Sequence, residues 1–429
     1  MTAKKKKIDV LLVGSGGREH ALALAIAKSP RLNTLYAAPG NAGMAAVATC
    51  VDIGAEDISA LVTFAVEKSI GLVVVGPEAP LVAGLADKLE AAGILVFGPK
   101  ANAAALEGSK ALMKQLCSDY DIPTAAWRLF DEPDNAKEYI YSKGAPIVIK
   151  VDGLAAGKGV FVCKTLNEAF AAVDHIMTER SFGDAGNEIV IEQCMVGPEV
   201  SYFAFVDGET VVPIGSAQDH KTAHDGDHGP NTGGMGAYSP TPLVTPELEA
   251  EILETMIKPT ARGLVRDGRP YRGVLFAGII LTDEGPKLLE YNVRFGDPEC
   301  QVLMARLTSD LLVALEACAN GSLSDVEVTF SNDHALVVVM AAKGYPGSYA
   351  KGDPIGGLMA AGAIDGVTVV HAGTKTDGNA TIANGGRVLG LTGIGPDLKT
   401  ARDRAYQAVD ALDWSGGFCR TDIGWRALS

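Results

Sequence analysis

Three polar side chains that could handle phosphate stand at alternate positions near the middle of the chain. Glu290 lies in the predicted strand Lys287–Tyr291, which runs on through Asn292 and Arg294, and alternate side chains of a strand point to the same face. A carboxylate and an amide oxygen placed in this way are hard ligands that suit Mg²⁺. The arginine could stabilise a phosphoryl group during its transfer. We therefore predict a site for a metal ion and phosphate; the alternative is a solvent-facing polar strand.

A glycine-rich loop follows Lys150, at the end of a predicted strand. A P-loop would need G-x-x-x-x-G-K-[ST] before a helix, but here the glycines are one residue too close and a second strand returns. A glycine loop between antiparallel strands can instead fold over a triphosphate. We predict that Lys150 contacts phosphate; the alternative is a solvent-exposed lysine. The loop residues expected to take part are Gly153, Gly157, Lys158 and Gly159.

A second glycine loop, Gly14–Gly17, connects the first predicted strand to the first predicted helix. The dinucleotide fingerprint G-x-G-x-x-G needs glycine where Glu19 stands, and no acidic residue ends the second strand. An NAD-dependent oxidoreductase is therefore disfavoured. Amides at a helix N-terminus still attract an anion. We predict a phosphate on Gly16, Gly17 and Arg18, with Gly76, Pro77 and Glu78 at the same sheet edge.

Alternating strands and helices must position these groups in the first hundred residues. The predicted strands are Ile8–Val13, Thr34–Ala37, Leu72–Val75 and Ile94–Phe97, and the predicted helices are Arg18–Lys28, Ile58–Lys68 and Val82–Ala91. This alternation predicts a parallel sheet wound in the Rossmann manner.

Further strands are predicted in the rest of the chain. They are Glu188–Gln193, Val200–Val206, Thr210–Ile214, Val274–Leu281, Lys287–Tyr291, Ala335–Ala341, Thr368–His371 and Val388–Thr392. We expect one helix over Cys300–Ala319, another over Asp397–Leu412, and a two-residue turn at Asp207-Gly208. Gly215–Ser239 is predicted to be an irregular loop that grips a ligand.

The composition excludes several classes of protein. At 429 residues the chain should form about three domains. Its net charge of −15 argues against a nucleic-acid-binding surface. No apolar run is long enough to span a membrane, and the seven cysteines form no CxxC pair, which favours a reducing cytoplasm. We expect a cytoplasmic enzyme that acts on small molecules and binds neither nucleic acid nor membrane.

Ten short motifs are specific in combination, although each alone is weak. They are Val13–His20, Ala38–Gly43, Val75–Leu81, Leu106–Lys110, Ile149–Val160, Gln218–Lys221, Gly229–Ala237, Asn292–Glu299, His371–Thr374 and Asp422–Trp425. In this order they resemble the glycinamide ribonucleotide synthetases, also called phosphoribosylamine–glycine ligases, of the ATP-grasp superfamily. The chain departs from that pattern at Thr222, where the family usually carries an arginine.

The resemblance implies an α/β protein of three domains. These would be an N-terminal Rossmann-like domain (1–107) that binds substrate, an ATP-grasp domain (108–328) and a small C-terminal α/β domain (329–429). Residues 126–196 would form a mobile part that covers the nucleotide. The family joins glycine to 5-phosphoribosylamine with ATP and Mg²⁺, for which Mn²⁺ can substitute. We expect a monomer.

The resemblance also implies roles for individual residues. Lys110 and Lys150 would bind phosphate, Glu199 would hold the ribose, and Glu290 and Asn292 would hold the metal. Adenine would contact Glu192, Gln193, Cys194 and Met195. Asp219, Lys221, Thr232, Gly233, Gly234 and Arg294 would face glycine and the reacting phosphoryl group, with Arg294, Asp219 and Lys150 catalytic. A sibling ATP-grasp enzyme acting on formate or bicarbonate, and a silent nucleotide-binding scaffold, remain as alternatives.

Overall fold

A computed structural model describes residues 6–153 and 159–428 of the chain. Its first part is a parallel sheet with strand order β3-β2-β1-β4-β5. The strands are β1 (Ile8–Gly14), β2 (Leu32–Pro39), β3 (Thr49–Cys50), β4 (Leu72–Val75) and β5 (Leu95–Phe97). The helices are α1 (Gly17–Ala27), α2 (Ile58–Glu67), α3 (Glu78–Val82), α4 (Leu85–Ala91) and α5 (Ala101–Gly108). The predicted Rossmann-like sheet is confirmed.

Burial on both faces of this sheet explains its apolar strands. In β1, Leu11 and Val13 pack into one core, whereas Val10 and Leu12 pack into another. Side chains alternate along a strand, so a strand covered on both faces is apolar throughout. The helix predicted over Val82–Ala91 is instead two helices, because Gly84 between α3 and α4 has a φ of +88°.

A small antiparallel sheet of order β6-β9-β7-β8 forms the next part. Its strands are β6 (Trp127–Phe130), β7 (Ile147–Val151), β8 (Val160–Cys163) and β9 (Ile189–Gln193). Helix α6 (Lys110–Asp119) precedes it, and α7 (Pro133–Lys143) and α8 (Leu166–Val173) cover it. These elements enclose a hydrophobic core of their own, which includes Ile149, Val173 and Ile191.

A large antiparallel sheet carries most of the candidate site. Its strands in the central part are β10 (Glu199–Asp207), β11 (Thr210–Asp219), β14 (Gly236–Ser239), β15 (Arg272–Thr282) and β16 (Gly285–Asn292). The hairpin β12 (Thr222–His224) and β13 (His228–Asn231) lies between β11 and β14. The helices are α9 (Pro246–Ile252), α10 (Lys258–Arg266), α11 (Glu299–Arg306) and α12 (Leu311–Asn320).

The C-terminal part extends the same sheet. The strands that join it are β17 (His334–Ala342), β18 (Val367–His371), β21 (Arg387–Gly395) and β22 (Gly417–Phe418), whereas β19 (Thr374–Asp377) and β20 (Ala380–Ala383) form a separate two-stranded sheet. The helices of the C-terminal part are α13 (Leu358–Gly362), α14 (Leu398–Asp410) and α15 (Trp425–Leu428). Strand β14 pairs with β17, so Ser239 lies opposite Ala335 and one sheet runs through both parts. The sequence did not predict this continuity.

Three further predictions about local structure were wrong. Gly215–Ser239 is not irregular, because β11 continues to Asp219 and three further strands follow. The helix predicted over Cys300–Ala319 is broken between α11 and α12, where Leu307 has an extended backbone and Asp310 caps the second helix. The hairpin turn is Gly208-Glu209, one residue later than predicted, because Asp207 pairs with Thr210.

Within residues 6–153 and 159–428, every helix is too short or too polar to cross a lipid bilayer.

Candidate active site

A cavity of about 410 Å³ lies where the first sheet, the small sheet and the large sheet meet. Its walls carry many charged groups of both signs. The charged residues that line it are Arg18, Glu78, Glu107, Lys110, Glu199, Asp219, Lys221, Glu290, Arg294, Asp297, Glu299 and Arg387. Charges this densely placed in a largely buried space suit a highly charged ligand.

Glu290 and Asn292, predicted to share one face of the strand, both line this cavity at the end of β16, as do Leu289 and Tyr291. Burial opposes ionisation of Glu290, but the positive charges of Lys150, Lys221 and Lys110 outweigh it, so the pKa of this carboxyl lies below its ordinary value. In the described part of the chain, neither side chain takes part in a hydrogen bond. Their oxygens are therefore available to a hard cation.

Lys150 is not among the described residues that line this cavity, and its side chain belongs to a buried ion-pair cluster beside it. Its ammonium lies 2.9 Å from Oε1 of Glu192 and donates to the carbonyl oxygen of Leu289 at 3.2 Å. The other carboxylate oxygen of Glu192 lies 2.9 Å from Nζ of Lys114, which also donates to Thr124 Oγ1 at 2.7 Å. Lys150 thus lies behind the cavity wall, although phosphate contact was predicted for it.

Lys110 does reach the cavity, at the start of α6. Its ammonium donates to the carbonyl oxygen of Gly153 at 3.0 Å. Burial lowers its pKa, and the nearby charge of Lys150 adds to that effect, whereas Glu290 opposes it. Gly153 and Gly159 line the cavity. Gly157 and Lys158 lie outside the described residues.

Arg294 connects the large sheet to the first part of the chain. Its Nε donates to Glu78 at 3.2 Å and its Nη2 to Glu107 at 3.1 Å. The pKa of Glu107 is raised because burial outweighs the charge of Arg294. Two carboxylates therefore fix the planar guanidinium at the cavity wall, two residues after Asn292 in the sequence.

A group of acidic residues lies at the end of β11 and the start of α11. Burial raises the pKa of Asp219, and Lys221 only partly offsets it. Burial and the nearby charge of Asp219 raise the pKa of Glu299 to about 7. The Oγ of Ser201 donates to Glu299 at 3.2 Å. Lys221 forms an ion pair with Glu199, the residue predicted to hold the ribose.

The residues predicted to contact adenine lie at the end of β9, outside the lining of the cavity. The side chain of Glu192 is buried, that of Gln193 is exposed, and Cys194 and Met195 are half-buried. The amide of Gln193 donates to the carbonyl oxygen of Ala126 at 2.9 Å.

In the glycine loop before α1, a backbone amide that was predicted to bind phosphate is hydrogen-bonded to a side chain of the protein. Glu19 folds back, and its Oε2 accepts the amide of Gly16 at 2.6 Å. Its Oε1 accepts Nε of Arg18 at 2.6 Å, and a Cβ at Gly76 would lie 2.0 Å from that oxygen. The carboxylate of Glu19 therefore takes the Gly16 amide that a phosphate was predicted to use. The same side chain leaves no room for a Cβ at position 76, and it stands where the dinucleotide fingerprint needs its third glycine. Pro77 and Glu78 begin α3 beside it.

A second cavity, of about 800 Å³, lies between the first part of the chain and the C-terminal part. Gly16, Gly40 and Asn41 line one side of it. Thr374, Lys375, Asn384 and Arg387 line the other.

The guanidinium of Arg387 ties together the loop and the strand that meet there. Its Nη1 donates to the carbonyl oxygens of Gly233 at 2.5 Å and Asp297 at 2.6 Å, and its Nη2 lies 3.2 Å from the Asp297 carboxylate. Thr232 and Gly233 line the first cavity, and Gly234 lies buried behind them.

Position 222 is a threonine here, where the resembled family usually has an arginine. A buried arginine from the C-terminal part, Arg420, lies against it. Arg420 donates through Nη1 to Thr222 Oγ1 at 2.9 Å and to Asp227 at 3.0 Å. Arg426 donates to the carbonyl oxygen of Asp219 at 3.1 Å. The C-terminal segment therefore supports the loop that carries Asp219 and Lys221.

The sequence reasoning gave no role to several residues that shape the site. They are Glu107, Lys114, Asp297, Glu299, Arg387 and Arg420. Glu107, Asp297 and Glu299 lie inside two of the ten motifs, but only the structure shows that they line the main cavity.

Comparison with known proteins covers almost the whole chain. Family models described as the phosphoribosylglycinamide synthetase N domain, ATP-grasp (A) domain and C domain match residues 8–107, 108–300 and 335–426. A phosphoribosylamine–glycine ligase of Brucella melitensis is 55% identical over 98% of this chain and 98% of its own.

Solved structures of other proteins resemble the fold of this chain over almost its whole length. A phosphoribosylamine–glycine ligase from Thermotoga maritima has a TM-score of 0.86 at 32% identity, covering 97% of this chain and all of that one (100%). The biotin carboxylase domain of a Hydrogenobacter thermophilus 2-oxoglutarate carboxylase, solved with MgADP and bicarbonate, has a TM-score of 0.72 at 19% identity. It covers 96% of this chain and 92% of that one, and this likeness shows a shared fold.

Proposed function

Because this chain belongs to the phosphoribosylglycinamide synthetase family, we propose that its main cavity joins glycine to 5-phosphoribosylamine with consumption of ATP. The products are N1-(5-phosphoribosyl)glycinamide, ADP and phosphate, and the reaction is a step of purine biosynthesis. The observation that carries this proposal is the convergence of Glu290, Asn292 and Arg294 on a cavity that also contains Lys110 and Lys221.

The reaction needs charge neutralisation and positioning more than a protein nucleophile. Glycine's carboxylate attacks the γ-phosphoryl group of ATP and forms glycyl phosphate and ADP. Lys110 and Arg294 would neutralise the transferring group. Lys150 would join them by turning from Glu192 toward the nucleotide.

Glu290 and Asn292 would hold Mg²⁺, with Mn²⁺ as a substitute. When bound, the ion screens the negative charge of the nucleotide phosphates and orients them. Among the residues that the structure describes, no three His, Cys, Asp or Glu side chains gather into a metal site. The remaining ligands would therefore be phosphate oxygens and water.

The loop after β7 would cover the nucleotide. Gly153, Gly157, Lys158 and Gly159 would supply its amides and ammonium, and Glu192, Gln193, Cys194 and Met195 would contact adenine. Glu199 would accept the ribose hydroxyls. The separate core of residues 126–196 supports movement of this part as a unit.

Glycine would lie between groups of opposite charge. Lys221 and Arg294 would attract its carboxylate, and Asp219 its ammonium. Thr232, Gly233 and Gly234 would close that side, where Arg387 holds the loop.

The second cavity would hold the phosphoribosyl end of the other substrate. Lys375 and Arg387 could neutralise the phosphate, and Asn41 lies on the opposite wall. Gly16 and Gly17 would line this space rather than donate free amides, with Arg18, Gly76, Pro77 and Glu78 beside them.

We also propose the division of the chain into residues 1–107, 108–328 and 329–429. The protein would act as a monomer in the cytoplasm, on small molecules, without nucleic acid or membrane.

Release of ADP from Mg-ATP tests this function when glycine and fresh phosphoribosylamine are omitted in turn. We expect ADP in quantity only when both are present. An Arg294→Gln variant should be strongly impaired, whereas Arg404→Gln is its matched control. Arg404 also pairs with a carboxylate, that of Asp365 at 2.8 Å, but lines neither cavity. Equal ADP release without glycine, or release driven by formate or bicarbonate, would replace the proposal with a sibling activity.

A further inference from the structure

Among residues 6–153 and 159–428, Asp297 and Arg387 are the two that line both cavities. Their side chains form an ion pair at 3.2 Å, so the junction of the two cavities is made by one carboxylate and one guanidinium. The proposed function places glycine and ATP on one side and the phosphoribosyl group on the other. The amine that joins them must therefore meet the acyl group at this junction.

The surroundings of Asp297 keep its carboxylate charged and fixed. Nε2 of Gln301 donates to Oδ1 at 2.9 Å, and a Cβ at Gly16 would lie 3.2 Å from Oδ2, at the N-terminus of α1. Burial opposes ionisation, but Arg387 and Arg18 outweigh it and lower the pKa of this carboxyl. The side chain keeps 18% exposure toward the cavities, so an oxygen remains accessible.

We propose that Asp297 is a catalytic residue that binds the attacking amine of the second substrate and stabilises the positive charge developing on its nitrogen. This inference rests on the proposed function and extends it to the second half of the reaction. A fixed carboxylate next to a developing cation lowers the barrier because its orientation costs no further reorganisation.

The step balances without another reactant. The nitrogen lone pair forms a bond to the acyl carbon of glycyl phosphate, the bond from that carbon to the phosphate oxygen breaks, and phosphate leaves with the electron pair. The nitrogen is cationic once bonded, and it loses one proton to the departing phosphate. Asp297 stays ionised throughout, in keeping with its lowered pKa.

The test separates the two half-reactions in the full-length enzyme. Glycine-dependent positional isotope exchange in ¹⁸O-labelled ATP, without amine, reports formation of glycyl phosphate. Complete ligation reports amine attack. We expect Asp297→Asn to lower ligation by about 10²–10³-fold, as when one transition-state electrostatic contact is removed, and to leave exchange within about threefold of the wild type.

Hydroxylamine supplies a second measurement, since at high concentration it attacks glycyl phosphate without a binding site. The Asp297→Asn variant should form glycyl hydroxamate as fast as the wild type. Asp365→Asn is the matched control, because Asp365 also pairs with an arginine but lines neither cavity, and we expect both activities to be unchanged.

Each outcome decides between explanations. Unimpaired ligation in Asp297→Asn overturns the proposal, as does equal loss of ligation and exchange in both Asp297→Asn and Asp297→Glu. If Asp297→Asn loses both exchange and ligation, Asp297→Glu decides. Exchange that recovers in Asp297→Glu while ligation stays low supports the proposal. A wild-type enzyme that shows neither glycine-dependent exchange nor ligation refutes the proposed function instead.

Discussion

The carboxylate of Glu192 lies 2.9 Å from the ammonium of Lys150, and both side chains are almost wholly buried. Lys114, from α6, shares the same carboxylate. Two lysines and one glutamate thus leave a net positive charge behind the wall of the main cavity. A nucleotide phosphate could recruit Lys150 without leaving Glu192 unpaired, because Lys114 would remain.

Lys150→Ala should lower kcat by about 10²–10³-fold, since it removes one electrostatic contact to the transferring group. Steady-state ligation at saturating glycine measures the effect. Wild-type kinetics in this variant would mean that Lys150 stays with Glu192 during catalysis and serves only the fold.

Lys114→Met should destabilise the protein by about 1–3 kcal/mol, because Glu192 loses one of its two buried partners and keeps Lys150. Urea unfolding followed by circular dichroism gives the free energy of unfolding. Lys399→Met is the control, since Lys399 pairs with Asp403 on the exposed face of α14, and it should have no measurable effect. Equal stability of the two variants would contradict the importance of the cluster.

Glu290→Gln should weaken the dependence of activity on Mg²⁺, because a neutral amide replaces the one carboxylate of the proposed metal site. A Mg²⁺ titration at fixed ATP should shift its midpoint to a higher concentration. If the titration of this variant overlays that of the wild type, Glu290 is not a metal ligand.

Glu299 should make stability fall as pH rises. Its folded-state pKa of about 7 lies above the ordinary value of 4.5, so the folded protein holds a proton that the unfolded chain has lost between these pH values. The penalty is absent below about pH 4.5 and complete above about pH 7, where it amounts to roughly 3 kcal/mol.

The variant Glu299→Gln tests this assignment because it cannot ionise. Its free energy of unfolding relative to wild type should increase between pH 5 and pH 8, approximately. A difference that stays constant across this range would show that Glu299 titrates at its ordinary pKa.

Local patterns predicted many of the strands and helices well, because these elements depend on neighbouring residues. Leu72–Val75 is a strand with the predicted bounds, and Glu290 and Asn292, predicted to lie on one face, both line the main cavity. The break between α11 and α12 was missed because Leu307 to Asp310 carry no glycine or proline.

Non-local relationships could not be predicted. The pairing of Lys114 with Glu192, and of Asp297 with Arg387, depends on how separate sheets pack. No spacing in the sequence records these distances. The sequence also does not show that the Glu19 side chain folds back onto Gly16. Its carboxylate accepts the amide at which an anion was predicted to bind.

The pairing of β14 with β17 has a consequence for the order of folding. Ser239 lies opposite Ala335, so β14 has one bare hydrogen-bonding edge until β17 has left the ribosome. An unpaired edge strand is a template for aggregation. Nascent chains that stop before His334 should therefore be the aggregation-prone stage of synthesis and the one that most needs a chaperone.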